Sequence, residues 1–369
     1  MGTQSEVLFR IPDTLMYWPW PRKINPHHEE VKTVSDAWFR SLKAFEPEAQ
    51  RHASNQLLVR AAHCCLLASL GCPTARKEHL RTVCDLMHLL FTIDDYTDDA
   101  PVEVVRLYAE IVMDAVNNPI KPRPSDEVVL GVIAQQFWAL GVKSASSTSQ
   151  KHFVESLKHY VDALVQEAED RHHHRVRNVE EYFDIRRWNI GIYMVYAMLE
   201  LSYDMPDDVF NHPTVAALRS AGRDLMIMDN DLASYNKEQA LEKHPHNILV
   251  CVMNEQKCDL HDALSWVEDT YRSTRNKFLM LWTEIPLWGP EMDVIASHYL
   301  HGIANWRYFG ANDRDVRQHR MVLLMPKRLF GGWAASHTRT SIFLAVCFVI
   351  LSFVPLYTSP LFLHSRLLE

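Results

Sequence analysis

A chain of 369 residues with 47% hydrophobic content can bury one large core or two modest ones, and its 11 glycines with few alternating β-branched runs argue against sheet. A net charge of −8 without a basic stripe argues against a nucleic-acid partner. The seven cysteines, odd in number, with Cys64 beside Cys65 and no CxxC pair, read as reduced thiols of a cytoplasmic protein rather than a disulfide framework or a zinc site.

The start, MGTQSEVLFR, has no apolar leader, so no secretory signal is expected, and Glu6 stands where myristoylation at Gly2 would need Ser or Thr. Residues 1–30 carry Pro12, Pro19, Pro21 and Pro26 with Trp18 and Trp20, which predicts an extended arm lying across a helical body. Helical periodicity begins near Glu29 and recurs over Ser54 to Leu70, Arg76 to Asp95 and Val102 to Val116. Loops are expected at Asn117 to Ser125 and Ser144 to Ser149. Further helices are predicted over His152 to Arg171, Val179 to Ser202, Thr214 to Glu238, Asp259 to Trp282 and Met292 to Trp306. No repeat or long linker divides them, so residues 31–327 read as one all-α domain. His172, His173 and His174 follow one another on a predicted helix; side chains about 100° apart cannot share a ligand sphere, and they read as a solvated surface.

Two polar sets interrupt apolar helices. The run LMHLLFTIDDYTDD ends in acids, and the spacing of Asp94, Asp95 and Asp98 lets three carboxylates converge on one helical patch. Hard cations such as Mg²⁺ take carboxylate oxygen and share their coordination with phosphate and water; a solvated acidic helix end is the alternative. In DNDLASYNKE, Asn230, Ser234 and Glu238 recur at i, i+4 and i+8, within an arc of about 80°. An amide oxygen, a hydroxyl and a carboxylate there form a second oxygen site, and Lys237 adds a cation suited to phosphate. Arg186 and Arg187 stand on an otherwise apolar stretch, where an inward guanidinium needs an anion; diphosphate would supply one, as would Asp184 or Glu181.

These motifs resemble the class I terpene cyclases, and among them the fungal sesquiterpene synthases. The likeness rests on the DDxxD form at Asp94, Asp95 and Asp98 followed by NDxxSxxxE from Asn230 to Glu238, and extends to FRIPD, INPHHEEV, EEYFDIRRWNIG, RYFG and QHRMVLLMPK, from about Phe9 to Lys327. The resemblance implies a single helical bundle with a central active-site cavity, three Mg²⁺ ions held by Asp94, Asp95, Asp98, Asn230, Ser234 and Glu238, and farnesyl diphosphate as substrate. It implies that one of Arg186 and Arg187 senses diphosphate, that Arg307 and Tyr308 close over it, and that Arg307 and Lys237 neutralise the leaving group. An apolar pocket, with Phe91 on its wall, would shield the carbocation from water.

Two features depart from the resembled pattern. Trp306 runs directly into Arg307, where the family has an additional helical stretch; this shortening predicts weaker activity with more hydroxylated or acyclic product, and leaves an impaired prenyl-diphosphate-binding homologue as the alternative function. A chain-elongating prenyl synthase would carry a second aspartate-rich motif in place of NDLASYNKE. Beyond residue 327 the family normally stops, whereas residues 328–369 form a hydrophobic tail, uncharged from Ser341 to Leu363, which reads as a membrane anchor or as a segment packed on the body.

Overall fold

The computed structural model describes residues 8–9, 12–45, 64–201, 203–240, 246–309 and 321–322. Its helices are α1 (His28–Ser41), α2 (64–71), α3 (Lys77–Thr97), α4 (Val102–Asn117), α5 (Leu130–Gly141), α6 (Ser147–His172) and α7 (Val179–Asn189), then α8 (Ile192–Met198), α9 (Asp207–Phe210), α10 (Pro213–Ala240), α11 (Ile248–Gln256), α12 (Leu260–Thr283) and α13 (Pro290–Asn305). A 3-10 turn at Trp306–Phe309 follows, and a two-residue antiparallel pairing sets Leu8 opposite Val322 and Phe9 opposite Met321. Contacts divide the chain into residues 1–326 and 327–369. The whole second unit lies outside the described residues, and with it the tail read above as an anchor. No helix among the described residues is long and apolar enough to cross a membrane.

The chain is an all-α protein, and two helices explain why. In α3, Leu80, Val83, Leu86, Met87, Leu89 and Ile93 are all buried, so apolar side chains leave the axis in most directions. Such a helix must be surrounded, and α1, α5 and α8 contact it. The same holds for α10, where the consecutive Leu225, Met226, Ile227 and Met228 are buried and α12 and α13 supply cover.

Several boundaries fall where local chemistry sets them. α6 begins at Ser147, inside the stretch expected to be a loop, because the Ser146 side chain accepts from the Ser149 N–H and caps it. The helix expected over Val179 to Ser202 is two: Asn178 and Glu181 form a capping box that starts α7, and Gly191 at φ 73° breaks the path before α8. α6 ends at His172, and His174 takes φ 50°, so the three histidines are not consecutive on a helix as expected but straddle its end.

The arm is ordered where it is described. Trp18 Nε1 donates to the Ala304 carbonyl (3.2 Å) and Trp20 Nε1 to His301 Nδ1 (2.9 Å), while Trp18 meets Phe278 and Trp20 meets Trp282, with ring centroids 5.1 and 4.6 Å apart. Aromatic surface and indole N–H groups together fix the strap over α12 and α13. Asn25, buried, donates to the Cys72 and Ala75 carbonyls (2.7 and 2.8 Å), tying the arm to the end of α2.

Trp306 anchors the chain where α13 ends. It is fully buried, and its ring lies so close to Gly71 that a Cβ there would sit 2.3 Å from ring carbon. Gly71→Val therefore displaces the indole, and a loss of about 1–3 kcal/mol is expected. Denaturant unfolding of the two proteins measures it, and an unchanged midpoint would mean that the ring finds room elsewhere.

Candidate active site

The acids of α3 sit at its C-terminal end, where the helix dipole is negative and opposes carboxylates. Asp94 is exposed, Asp95 and Asp98 are half-buried, and the last turn of α3 contains no basic residue. Arg171 of α6 closes the end from outside, donating to the Thr97 and Ala100 carbonyls (3.0 and 2.9 Å). Phe91, one turn earlier, is half-buried and packs against the core.

The second polar set is held by a network that the sequence did not reveal. Arg186 donates to Asn230 Oδ1 (2.6 Å), to Asp231 Oδ1 (3.1 Å) and to Asn189 Oδ1 (3.1 Å). Asn189 donates in turn to Glu167 Oε2 (2.6 Å) and contacts His246 Nε2 (3.1 Å). Asp231, buried, also accepts from the Tyr182 hydroxyl (2.5 Å) and the Ile248 N–H (2.9 Å). Burial weighs against the Arg186 charge, but Tyr182, Asp231, Glu167 and Glu238 outweigh it and raise the pKa of an already permanent cation. Glu238 is pushed up mainly by burial, while hydrogen bonds from Ser234 and from Asn247 Nδ2 (3.0 Å) pull the other way.

Tyr160 of α6 is buried. Burial pushes its hydroxyl well above the usual tyrosine range, and the carboxylates of Asp94, Glu167 and Asp98 push in the same direction while Arg186 opposes them. A small apolar cavity of about 10 Å³ lies among Ile93, Tyr108, Val112, Leu130 and Val161; no charged side chain lines it, so nothing there could hold a diphosphate.

The adjacent arginines separate clearly. Arg186 turns towards Asn230, whereas Arg187 pairs with Asp224 (3.0 Å) and Asp184 (3.6 Å) and lies over the Phe183 ring. Asp184 thus holds Arg187, one of the alternatives open in the sequence. The side chains of Lys237 and Tyr308 lie outside those described. Arg307, expected from the resemblance to close over diphosphate, stands apart from this network. It is fully buried against Asp229 (3.4 Å), donates to the Thr14 carbonyl (2.7 Å) and lies between the Trp18 and Tyr271 rings (4.7 and 4.9 Å). Asp229 and Asp231 are two residues apart on α10, about 200° around it, so Arg307 and Arg186 address different sides of that helix.

The residues fit a divalent cation. In kind the donors are those of a hard ion: carboxylates close α3 at the end its dipole disfavours, and α10 carries amide, hydroxyl and carboxylate oxygens, the last on a carboxyl that burial raises. Among the residues missed in the sequence, Asp231 alone had a local signal, its place inside NDLAS. Tyr160, Glu167, Asn189 and Asn247 carry none and are legible only in three dimensions.

Comparison with known proteins gives the same class. Residues 85–277 match the family model described as Terpene synthase family 2, C-terminal metal binding. The chain is 45% identical over 329 residues to a Delta(6)-protoilludene synthase of Stereum hirsutum, covering 86% of this chain and 88% of that one. It is 42% identical to sesquiterpene synthase 14 of Postia placenta, covering 89% and 95%. The linalool/nerolidol synthase of Streptomyces clavuligerus, solved in complex with 2-fluorogeranyl diphosphate, shares the fold with a TM-score of 0.68 at 16% identity, covering 80% of this chain and 98% of that one. The chain belongs to the class I terpene synthases, in the fungal sesquiterpene synthase family. It is a terpene cyclase, a lyase acting on a prenyl diphosphate to form a sesquiterpene, and it uses a divalent metal.

Proposed function

We propose that the substrate is farnesyl diphosphate, the metal Mg²⁺, three per site as the family implies, and the product a cyclic sesquiterpene hydrocarbon. The observation that carries this reading is the Arg186 guanidinium resting on Asn230 Oδ1 beside Asp231, a cation held ready next to a metal-type oxygen donor. Asp94, Asp95 and Asp98 hold cation from α3, and Asn230, Ser234 and Glu238 from α10. When bound, Mg²⁺ supplies the Lewis acidity that neutralises diphosphate as the carbon–oxygen bond breaks. Arg186 exchanges Asn230 for diphosphate oxygen, and its release from Asn230 frees that amide oxygen for metal. Asn189 carries the movement to Glu167, since both arginine and carboxylate hold its amide.

Phe91 is assigned to the pocket wall, Lys237 and Tyr308 to the diphosphate, and residues 31–327 to one catalytic domain with residues 1–30 as its arm. For Arg307 the geometry favours a brace over a clamp. The names of relatives at 45% and 43% identity make Delta(6)-protoilludene the first product to look for. Purified full-length protein incubated with farnesyl diphosphate and Mg²⁺ is expected to release diphosphate and one main cyclic hydrocarbon, with added hydroxylated or acyclic product from the shortened junction. Diphosphate release no faster than in a Mg²⁺-free control would overturn the reading.

A further inference from the structure

A cluster of metal-ligating side chains lies outside the site above, at the junction of α1, α2 and α3. Asp36 Oδ1 is 3.9 Å from Cys65 Sγ and 3.5 Å from His88 Nε2, and the three ligand atoms all lie within 4.8 Å of one another. All three residues are buried. His88 Nε2, shielded from solvent, faces the Asp36 carboxylate at ion-pairing rather than hydrogen-bonding distance, so it is turned into the cluster.

Its neighbours hold these donors in place. Lys32 takes the other carboxylate oxygen of Asp36, Oδ2, at 2.5 Å, which turns Oδ1 towards Cys65 and His88. The Phe39 ring stacks on His88 with centroids 4.5 Å apart and 13° between planes, fixing the imidazole. Cys84 stands one turn before His88 on α3, on the same face. Cys64 borders the imidazole from α2.

We propose that Asp36, Cys65 and His88 form a site for a zinc-class divalent ion that staples α1, α2 and α3 together. Zinc takes thiolate at about 2.3 Å and imidazole or carboxylate at about 2.0–2.2 Å, so tetrahedral ligand atoms stand roughly 3.3–3.6 Å apart. The Asp36 distances need contract by only a few tenths of an ångström. Carboxylate and thiolate offset the charge of a divalent ion, and a mixed nitrogen, sulfur and oxygen set favours zinc over Mg²⁺, which requires oxygen. Cysteine spacing gave no hint of this, because the ligands come from three helices.

Elemental analysis of purified full-length protein, loaded with Zn²⁺ and freed of excess by gel filtration in Mg²⁺ buffer, tests the site. About one equivalent of retained zinc is expected, falling at least about tenfold in Cys65→Ser and in Asp36→Asn but not in Asp94→Asn. Because those variants could fold poorly, wild-type protein loaded with Co²⁺ is the second measurement: a thiolate-to-cobalt charge-transfer band is expected in the near ultraviolet. Zinc far below one equivalent, zinc lost with Asp94→Asn instead, or Co²⁺ spectra without that band would each overturn the proposal.

Discussion

Asp94→Asn and Glu238→Gln are each expected to lower Mg²⁺-dependent diphosphate release by at least about a hundredfold, with the helical circular dichroism unchanged. The size follows from the several kcal/mol that metal contributes at a developing charge. The unchanged fold follows from position: Asp94 is exposed, and Glu238, half-buried, lies near the end of α10, so neither supports the core. Chelation of the metal should reduce the wild-type enzyme to the level of either variant. Steady-state diphosphate release with circular dichroism on the same samples decides the matter, and near-normal turnover by both variants would remove α3 and α10 from the chemistry.

Arg307→Met is expected to destabilise the protein by about 3–5 kcal/mol, because it leaves the Asp229 carboxylate buried without its cation. Burial already raises the Asp229 pKa, with Arg307 opposing that rise. The pair Asp229→Leu with Arg307→Met should recover most of the loss, since two apolar side chains replace a desolvated ion pair. Urea unfolding of the single and double variants measures stability, and diphosphate release measures the alternative role. Full stability in the single variant with turnover abolished would show that Arg307 clamps diphosphate after all.

Legibility in the sequence followed the reach of each interaction. The acids closing α3 and the NDLASYNKE set were visible because each is local to one helix, and so were most helices whose apolar stripe repeats. α5 was missed because LGVIAQQFWALG is apolar almost all round and buried, which leaves little periodicity to see. The choice between Arg186 and Arg187 could not be made because neighbouring helical residues differ by about 100° and the partner that selects one of them, α10, lies more than 35 residues away. The buried pairing of Arg307 was illegible for a related reason: its partners, Asp229 and the Thr14 carbonyl, lie far from it in sequence. The Asp36, Cys65 and His88 cluster gave no signal because 29 residues separate its first two members.

The strap also constrains the order in which this chain can be made. Thr14 and Arg307, 293 residues apart, share a hydrogen bond, and Trp18 reaches Ala304 across 286 residues. A ribosome adding about 5–20 residues per second needs on the order of fifteen seconds to a minute to emit that interval. Throughout it, Trp18 and Trp20 have neither α12 nor α13 to cover them. The nascent chain therefore presents an uncovered aromatic segment, a natural ligand for chaperones, and the strap is covered only once α13, the last α-helix among the described residues, has emerged and the earliest residues lock onto it.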